Sequence, residues 1–168
     1  MKQPSLMHRI SEKERQYVME VLDTDFRSSK GSMMMTRLEQ AFAKKFGIKY
    51  AISHVNGTST LHSAVAAAGV GPGDEVIVPP LTMSSTTFAI LQNNAVPVFC
   101  DVNEETFNLD PQKLRSCITD KTKAVMPVSL YGLPCDSKAI NAIAKEYGLV
   151  VIEDNAECFG GKVDGKYA

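Results

Sequence analysis

The sequence predicts an α/β domain built on a mostly parallel sheet with helices on both faces, and three observations predict it. Short apolar runs alternate with segments of helical periodicity: DEVIVPP at 74–80, VPVFCDV at 96–102, AVMPVSLYG at 124–132 and LVVIEDN at 149–155. These runs are apolar nearly throughout, the pattern of strands buried on both faces rather than half-solvated ones. The intervening segments carry helix signals at their ends, with Ser11, Asp110 and Asp136 placed as N-caps and Gly47 as a stop.

The elements follow in order. Ser11 with Glu14 three residues on forms a capping box, and the helix behind it carries Tyr17, Val18, Val21 and Leu22. A polar loop, DTDFRSSKGS, covers 23–32. Residues 33–47 form a second amphipathic helix with Leu38, Phe42 and Phe46 at helical spacing. KYAISHV at 49–55 is β-branched and aliphatic, which predicts the first strand. A helix over 59–69, the strand at 74–80, a helix over 83–95 and the strand at 96–102 come next. Residues 107–118 read as a helix with Asp110 as N-cap and Pro111 in its first turn. The strand at 124–132, a helix over 136–148 and the strand at 149–155 complete the series. This divides the chain into an N-terminal helix and loop, 1–36, and a larger domain, 37–168, without any repeat or low-complexity tract.

Composition bounds the function. The chain has 168 residues, is 44% hydrophobic and carries a formal charge of -1, so it is long enough to bury a core and lacks the basic excess that nucleic-acid and membrane-surface binding require. No apolar stretch reaches the ~18 residues of a membrane span, and the N-terminus lacks the apolar block of a signal peptide. A cytoplasmic location is therefore expected. Cys100, Cys117, Cys135 and Cys158 are far apart, without CxxC spacing, and read as reduced buried thiols rather than a metal or disulfide framework.

In parallel α/β sheets ligands bind beyond the carboxyl ends of the strands, so those ends hold the candidate residues. HVNGTST at 54–60 places Gly57 and the hydroxyls of Thr58, Ser59 and Thr60 at a helix start, which suits an anion and equally suits an ordinary capped turn. The strand at 149–155 finishes in Glu153 and Asp154, whose side chains must point to opposite sides. A carboxylate there suits a metal, a ribose hydroxyl or a protonated ring nitrogen, or is simply a solvated strand end. LTMSSTTFAI at 81–90 is rich in hydroxyls and reads as a capped helix with Ser84 to Thr87 on its polar side. His8, His54 and His62 lack ligand partners at a metal-binding spacing and read as structural. Neither a P-loop nor a GxGxxG fingerprint occurs, and no Ser-His-Asp or Cys-His set can be argued.

Together the strand ends carry a more specific signal. NGTSTLHSAVAAAGVGPGDEVIVPPLT, AVPVFCDVNEETFNLDPQKL, TKAVMPVSLYGLPCD and LVVIEDNAE occur in this order and at these separations. From about residue 23 onward the chain resembles the N-terminal part of the DegT/StrS family, the pyridoxal-phosphate-dependent sugar-nucleotide aminotransferases of polysaccharide biosynthesis. The resemblance implies a partial fold-type I large domain, a homodimer, a nucleotide sugar as substrate and an amino-acid donor. It implies that Gly57 and Thr58, with Ser59 nearby, hold the cofactor phosphate, and that Asp154 pairs with the pyridine nitrogen. Met83 stands where the family usually stacks an aromatic residue on the ring. Glu157 stands where glutamine is usual, near the ring hydroxyl, and Ser129 stands where histidine is common.

The resemblance also implies that the Schiff-base lysine falls beyond residue 168, so that no catalytic residue is assigned and the chain is expected to be inactive alone. Lys162 and Lys166 sit where no family nucleophile is expected. The first strand is expected to detach, to move beside the fifth, or to pair with another chain. Other readings stay open: a sugar dehydratase of the same family, in which histidine replaces the lysine, or a non-catalytic interaction module. A dinucleotide-binding domain is the weakest, for want of its glycine fingerprint.

Overall fold

The computed structural model of the protein describes residues 10–24 and 33–167. They divide into two units between Ser53 and His54, later than the 36/37 boundary expected from the sequence. His8 and most of the polar loop at 23–32 lie outside the described residues.

In the first unit, Ser11 opens α1 (Glu12–Leu22) from an extended backbone and closes the expected capping box with Glu14. α2 (Met34–Phe46) ends at Gly47, whose φ of 67° is the left-handed conformation that glycine adopts without a Cβ penalty. Arg37 of α2 pairs with Glu20 of α1 and lies 4.6 Å from the centre of the Tyr17 ring. The expected strand at 49–55 is not one: no ladder involves these residues, and Ile52 and Val55 are exposed. A strand exists only as half of a pair, and no described strand is its partner. The Ser53 N–H donates instead to the Glu39 carboxylate at 2.8 Å.

The second unit holds a parallel sheet of β1 (Glu75–Val78), β2 (Val96–Phe99), β3 (Thr122–Val125) and β4 (Val150–Val151), in the spatial order β2-β1-β3-β4. Alternation along the strands sends Val76, Val78, Ala124 and Met126 to one face, where α3 (Gly57–Ala67) supplies Leu61 and Val65 and α4 (Ser84–Leu91) supplies Ala89 and Ile90. Ile77 and Val125 point to the other face, against Leu114 of α5 (Pro111–Leu114) and Ile140, Ile143 and Ala144 of α6 (Ser137–Tyr147). The expected covering of both faces is therefore present. Each fully buried aliphatic side chain contributes roughly 1.5–3 kcal/mol of transfer free energy, so the sheet is the stable frame of this unit.

Several elements are shorter than expected. The helix predicted from 107 begins at Pro111, because Phe107 takes a φ of 60° and Asp110 is the extended N-cap, accepting from the Gln112 N–H at 2.9 Å. The β3 ladder stops at Val125, ahead of Pro127, which has no N–H to donate; the chain then closes a 3-10 turn at Leu130–Gly132. β4 pairs over two residues, and a single parallel bridge between Val128 and Asp154 prolongs it. An unexpected hairpin, β5 (Lys162–Val163) and β6 (Lys166–Tyr167), turns through Asp164 and Gly165, both at positive φ. Asp-Gly is a strong two-residue hairpin signal, and here it joins strands too short to show alternation.

Candidate functional site

Because the four strands run parallel, the segments following β1, β3 and β4 emerge at one edge of the sheet. A shallow cavity there is lined by Gly57 and Leu61 of α3, Thr82 and Met83 after β1, Val128 after β3, and Asp154 and Glu157 after β4.

Asp154 is the most constrained of these. Its backbone is locked between two strand ends: its N–H donates to the Pro127 carbonyl at 3.0 Å and its carbonyl accepts from the Ser129 N–H at 3.0 Å. The residue is only 7% exposed. One carboxylate oxygen accepts from the Thr86 hydroxyl at 2.9 Å, the other from the Ala156 N–H at 3.2 Å. Thr86 in turn lies 2.9 Å, hydroxyl to hydroxyl, from Thr82. Glu153, one residue earlier, is exposed and accepts from the Asn155 side-chain amide. Alternation along the strand thus separates the two carboxylates, one inward and one outward.

Thr86 corrects the reading of 84–87 as a polar helix face. It is fully buried, with its hydroxyl spent on Asp154. A signal for it was present, since Thr82 and Thr86 are four residues apart around the start of α4 and share a side.

At the α3 start, Asn56 caps the helix by accepting from the Ser59 N–H at 2.9 Å and the Ser59 hydroxyl at 3.1 Å. Ser59 is thereby engaged in the cap, and neither it nor Thr58 lines the cavity, whereas Gly57 does. The N–H groups of Gly57 and Thr58 belong to the first helical turn, which has no intrahelical acceptors and carries the positive end of the helix dipole. Gly57 is not required by its backbone, which is not left-handed, and a Cβ there would meet nothing within 4 Å. What glycine preserves is open space at the cavity wall.

Glu157 accepts from the Tyr131 N–H at 3.0 Å through one carboxylate oxygen. Met83, 66% exposed, sits on the rim. Ser129 is buried away from the cavity, accepting from the Cys135 N–H at 3.2 Å. Among the described residues, no Lys, Arg or His forms an ion pair with Asp154 or Glu157, and no lysine lines the cavity. Lys162 and Lys166 lie on the β5–β6 hairpin, with the Lys162 ammonium 4.6 Å from the centre of the Tyr167 ring. His54 and His62 are exposed. The cysteines are free, with Cys117 half-buried rather than buried, and the described residues hold no cluster of three metal-ligating side chains. None of the described helices is long and apolar enough to cross a membrane.

The arrangement offers a buried carboxylate, an apolar wall of Leu61 and Val128, and helix N–H groups on one side: a site for a ligand with a cationic ring and an anionic arm. The same frame occurs in known proteins. The chain superposes on the aminotransferase from Psychrobacter cryohalolentis with a TM-score of 0.90 at 36% identity, covering 98% of this chain and 42% of that one. It superposes on a GDP-4-keto-6-deoxymannose-3-dehydratase with a trapped PLP-glutamate geminal diamine with a TM-score of 0.85 at 29% identity, over 98% and 44%. In sequence it is 47% identical to the GDP-perosamine synthase of Caulobacter vibrioides over 158 residues, 94% of this chain and 42% of the relative. The chain thus spans less than half the length of the relatives it matches, and the fold is that of the fold-type I pyridoxal-phosphate enzymes in its N-terminal portion. The match to the DegT/DnrJ/EryC1/StrS aminotransferase family runs over residues 8–168, nearly the whole chain, and the protein is a member of that family.

Proposed function

We propose that this chain forms the cofactor-holding part of a pyridoxal-phosphate-dependent aminotransferase that acts on a nucleotide-linked keto sugar, with an amino acid as donor. One observation carries the reading: a buried carboxylate, Asp154, held by neutral donors alone and facing a cavity whose far wall is the open N-terminus of α3. A carboxylate so placed lacks a positive partner among the described residues, and a protonated pyridine nitrogen would supply one. The donor set therefore fits the cofactor. In this reading the N–H groups of Gly57 and Thr58 bind its phosphate, and Ser59 shapes that turn through the cap. Met83 covers the ring in place of an aromatic residue, and Glu157 faces the ring hydroxyl.

When bound, pyridoxal phosphate supplies an electron sink that stabilises negative charge on the amino-bearing carbon. The contribution of Asp154 is to keep the proton on the ring nitrogen. Thr86 and Ala156 fix that carboxylate, and Leu61 and Val128 keep water from it. The working enzyme is proposed to be a cytoplasmic homodimer.

A dehydratase is the second reading, favoured by the superposition on a 3-dehydratase of the same frame. An amino sugar as product identifies the first activity and a deoxy sugar the second.

The test is titration of the purified chain with pyridoxal phosphate, read by absorbance, then borohydride reduction and intact mass. Reversible binding without a covalent adduct is expected, because no lysine among the described residues lines the cavity. Asp154→Asn and Gly57→Val should each weaken binding at least tenfold, and Gly57→Val should leave the fold intact because a Cβ there meets nothing within 4 Å and the φ is not left-handed. Absence of binding, or equal binding by both variants, overturns the assignment.

A further inference from the structure

We propose that Asn108, which does not line the cavity, is a positioning residue that sets the Glu157 carboxylate at the cavity. The inference rests on the site assignment above and concerns how that site is built. Asn108 lies in the loop between β2 and α5 and is only 4% exposed. Its side-chain oxygen accepts from the Leu130 N–H at 3.0 Å, and its side-chain nitrogen donates to the Leu133 carbonyl at 3.0 Å. One partner is a donor and the other an acceptor, so the amide has a single satisfied orientation.

These bonds bracket the turn at Leu130–Gly132, where Tyr131 has a φ of 53° and Gly132 one of 84°. Left-handed backbone is unfavourable for a residue with a side chain and persists only where its surroundings impose it. Tyr131 is 75% exposed, so side-chain packing does not impose this conformation. The clamp from Asn108 does. Its consequence is the direction of the Tyr131 N–H, which donates to Glu157 at 3.0 Å. Asn108 is itself anchored, because Asn103 closes the loop by donating its N–H to the Asn108 carbonyl at 2.9 Å and accepting from the Phe107 N–H at 2.8 Å. A side chain outside the site thus fixes one inside it, through a strained turn.

The experiment compares wild type, Asn108→Ala and Asn108→Ala/Tyr131→Gly by amide hydrogen exchange in the ligand-free chain, with pyridoxal phosphate affinity measured alongside. Losing two buried hydrogen bonds should speed exchange at Tyr131 about 30-fold in Asn108→Ala. Exchange at Ile77 and Val125 in the sheet should be unchanged, and affinity should fall about tenfold. Glycine adopts positive φ freely, so Tyr131→Gly should restore both protection at 131 and affinity in the double variant. Unchanged exchange at Tyr131 in Asn108→Ala overturns the proposal. If Asn108→Ala loses protection in the sheet as well, the double variant decides: recovery supports the clamp, and no recovery refutes it. If the wild-type chain binds no pyridoxal phosphate, the functional assignment fails while the exchange comparison still judges Asn108.

Discussion

Thr86→Val is the substitution that isolates the hydrogen bond beneath the site. The side chains are close to isosteric, so the change deletes the hydroxyl that donates to Asp154 at 2.9 Å without opening a cavity. A hydrogen bond to a charged group contributes roughly 1.5–3 kcal/mol, and burying one more apolar group returns about 0.8 kcal/mol. The net loss should be about 1–2 kcal/mol, since Asp154 keeps the Ala156 N–H and Thr82 can bond to water. Urea denaturation followed by far-UV dichroism reads this as a lower midpoint with an unchanged slope, by roughly 0.5–1 M for a slope near 2 kcal/mol/M. Thr86→Ser is the control: it keeps the hydroxyl and loses a methyl, costing about 1 kcal/mol by a different route. The two variants separate in pyridoxal phosphate affinity, which should drop for Thr86→Val and hold for Thr86→Ser. A Thr86→Val protein as stable as wild type would refute the view that the hydroxyl sustains the buried carboxylate. So would equal affinities in the two variants.

Two further predictions concern groups away from the cavity. The Ser53 N–H and hydroxyl hold the Glu39 carboxyl below its usual range, so the unfolded chain binds more protons there and the stabilisation is present above the ordinary glutamate range. The difference in urea midpoint between wild type and Glu39→Gln should therefore be largest at neutral pH and close as the pH falls through that range; a gap constant from pH 7 to pH 3 contradicts it. Burial pushes the Cys100 thiol up to about 12 and the Cys135 thiol up to about 11, leaving almost no thiolate at pH 8. Iodoacetamide at that pH should leave both unmodified in the native chain and label both in denaturant, as peptide mass mapping will show; equal labelling in both states contradicts the burial argument.

What was legible in the sequence follows from how local each signal is. α1, α2 and α6 were readable to within a residue or two because their caps are local: Ser11 with Glu14, Gly47, and Asp136 accepting from the Ala139 N–H. The two-faced sheet was readable because VIV at 76–78 and AV at 124–125 are apolar whichever way their side chains point. The strand at 49–55 was misread because strand formation is a property of a pair. Its β-branched composition reports suitability for a ladder and cannot report whether a partner is beside it. Tyr131 illustrates the same limit for turns: its residue type does not favour positive φ, and the bonds around it come from Asn108 and Glu157, distant in the sequence, so no local pattern announced it.

The site divides along the same line. Met83, Asp154 and Glu157 follow strands whose parallel topology brings their ends together, whereas Gly57, at the start of α3, reaches the same cavity with no strand before it. The residues that were missed, Thr86 and Asn108, act through a hydrogen bond reaching far along the chain: Thr86 to Asp154 across 68 positions, Asn108 to Leu130 across 22. A buried hydroxyl and a buried amide look in sequence like any solvated Thr or Asn. What distinguishes them is that burial would be costly without the partner, so the partner must exist. Sequence motifs therefore mark which residues line the cavity, while the atoms that hold those in place come to light only once burial is known.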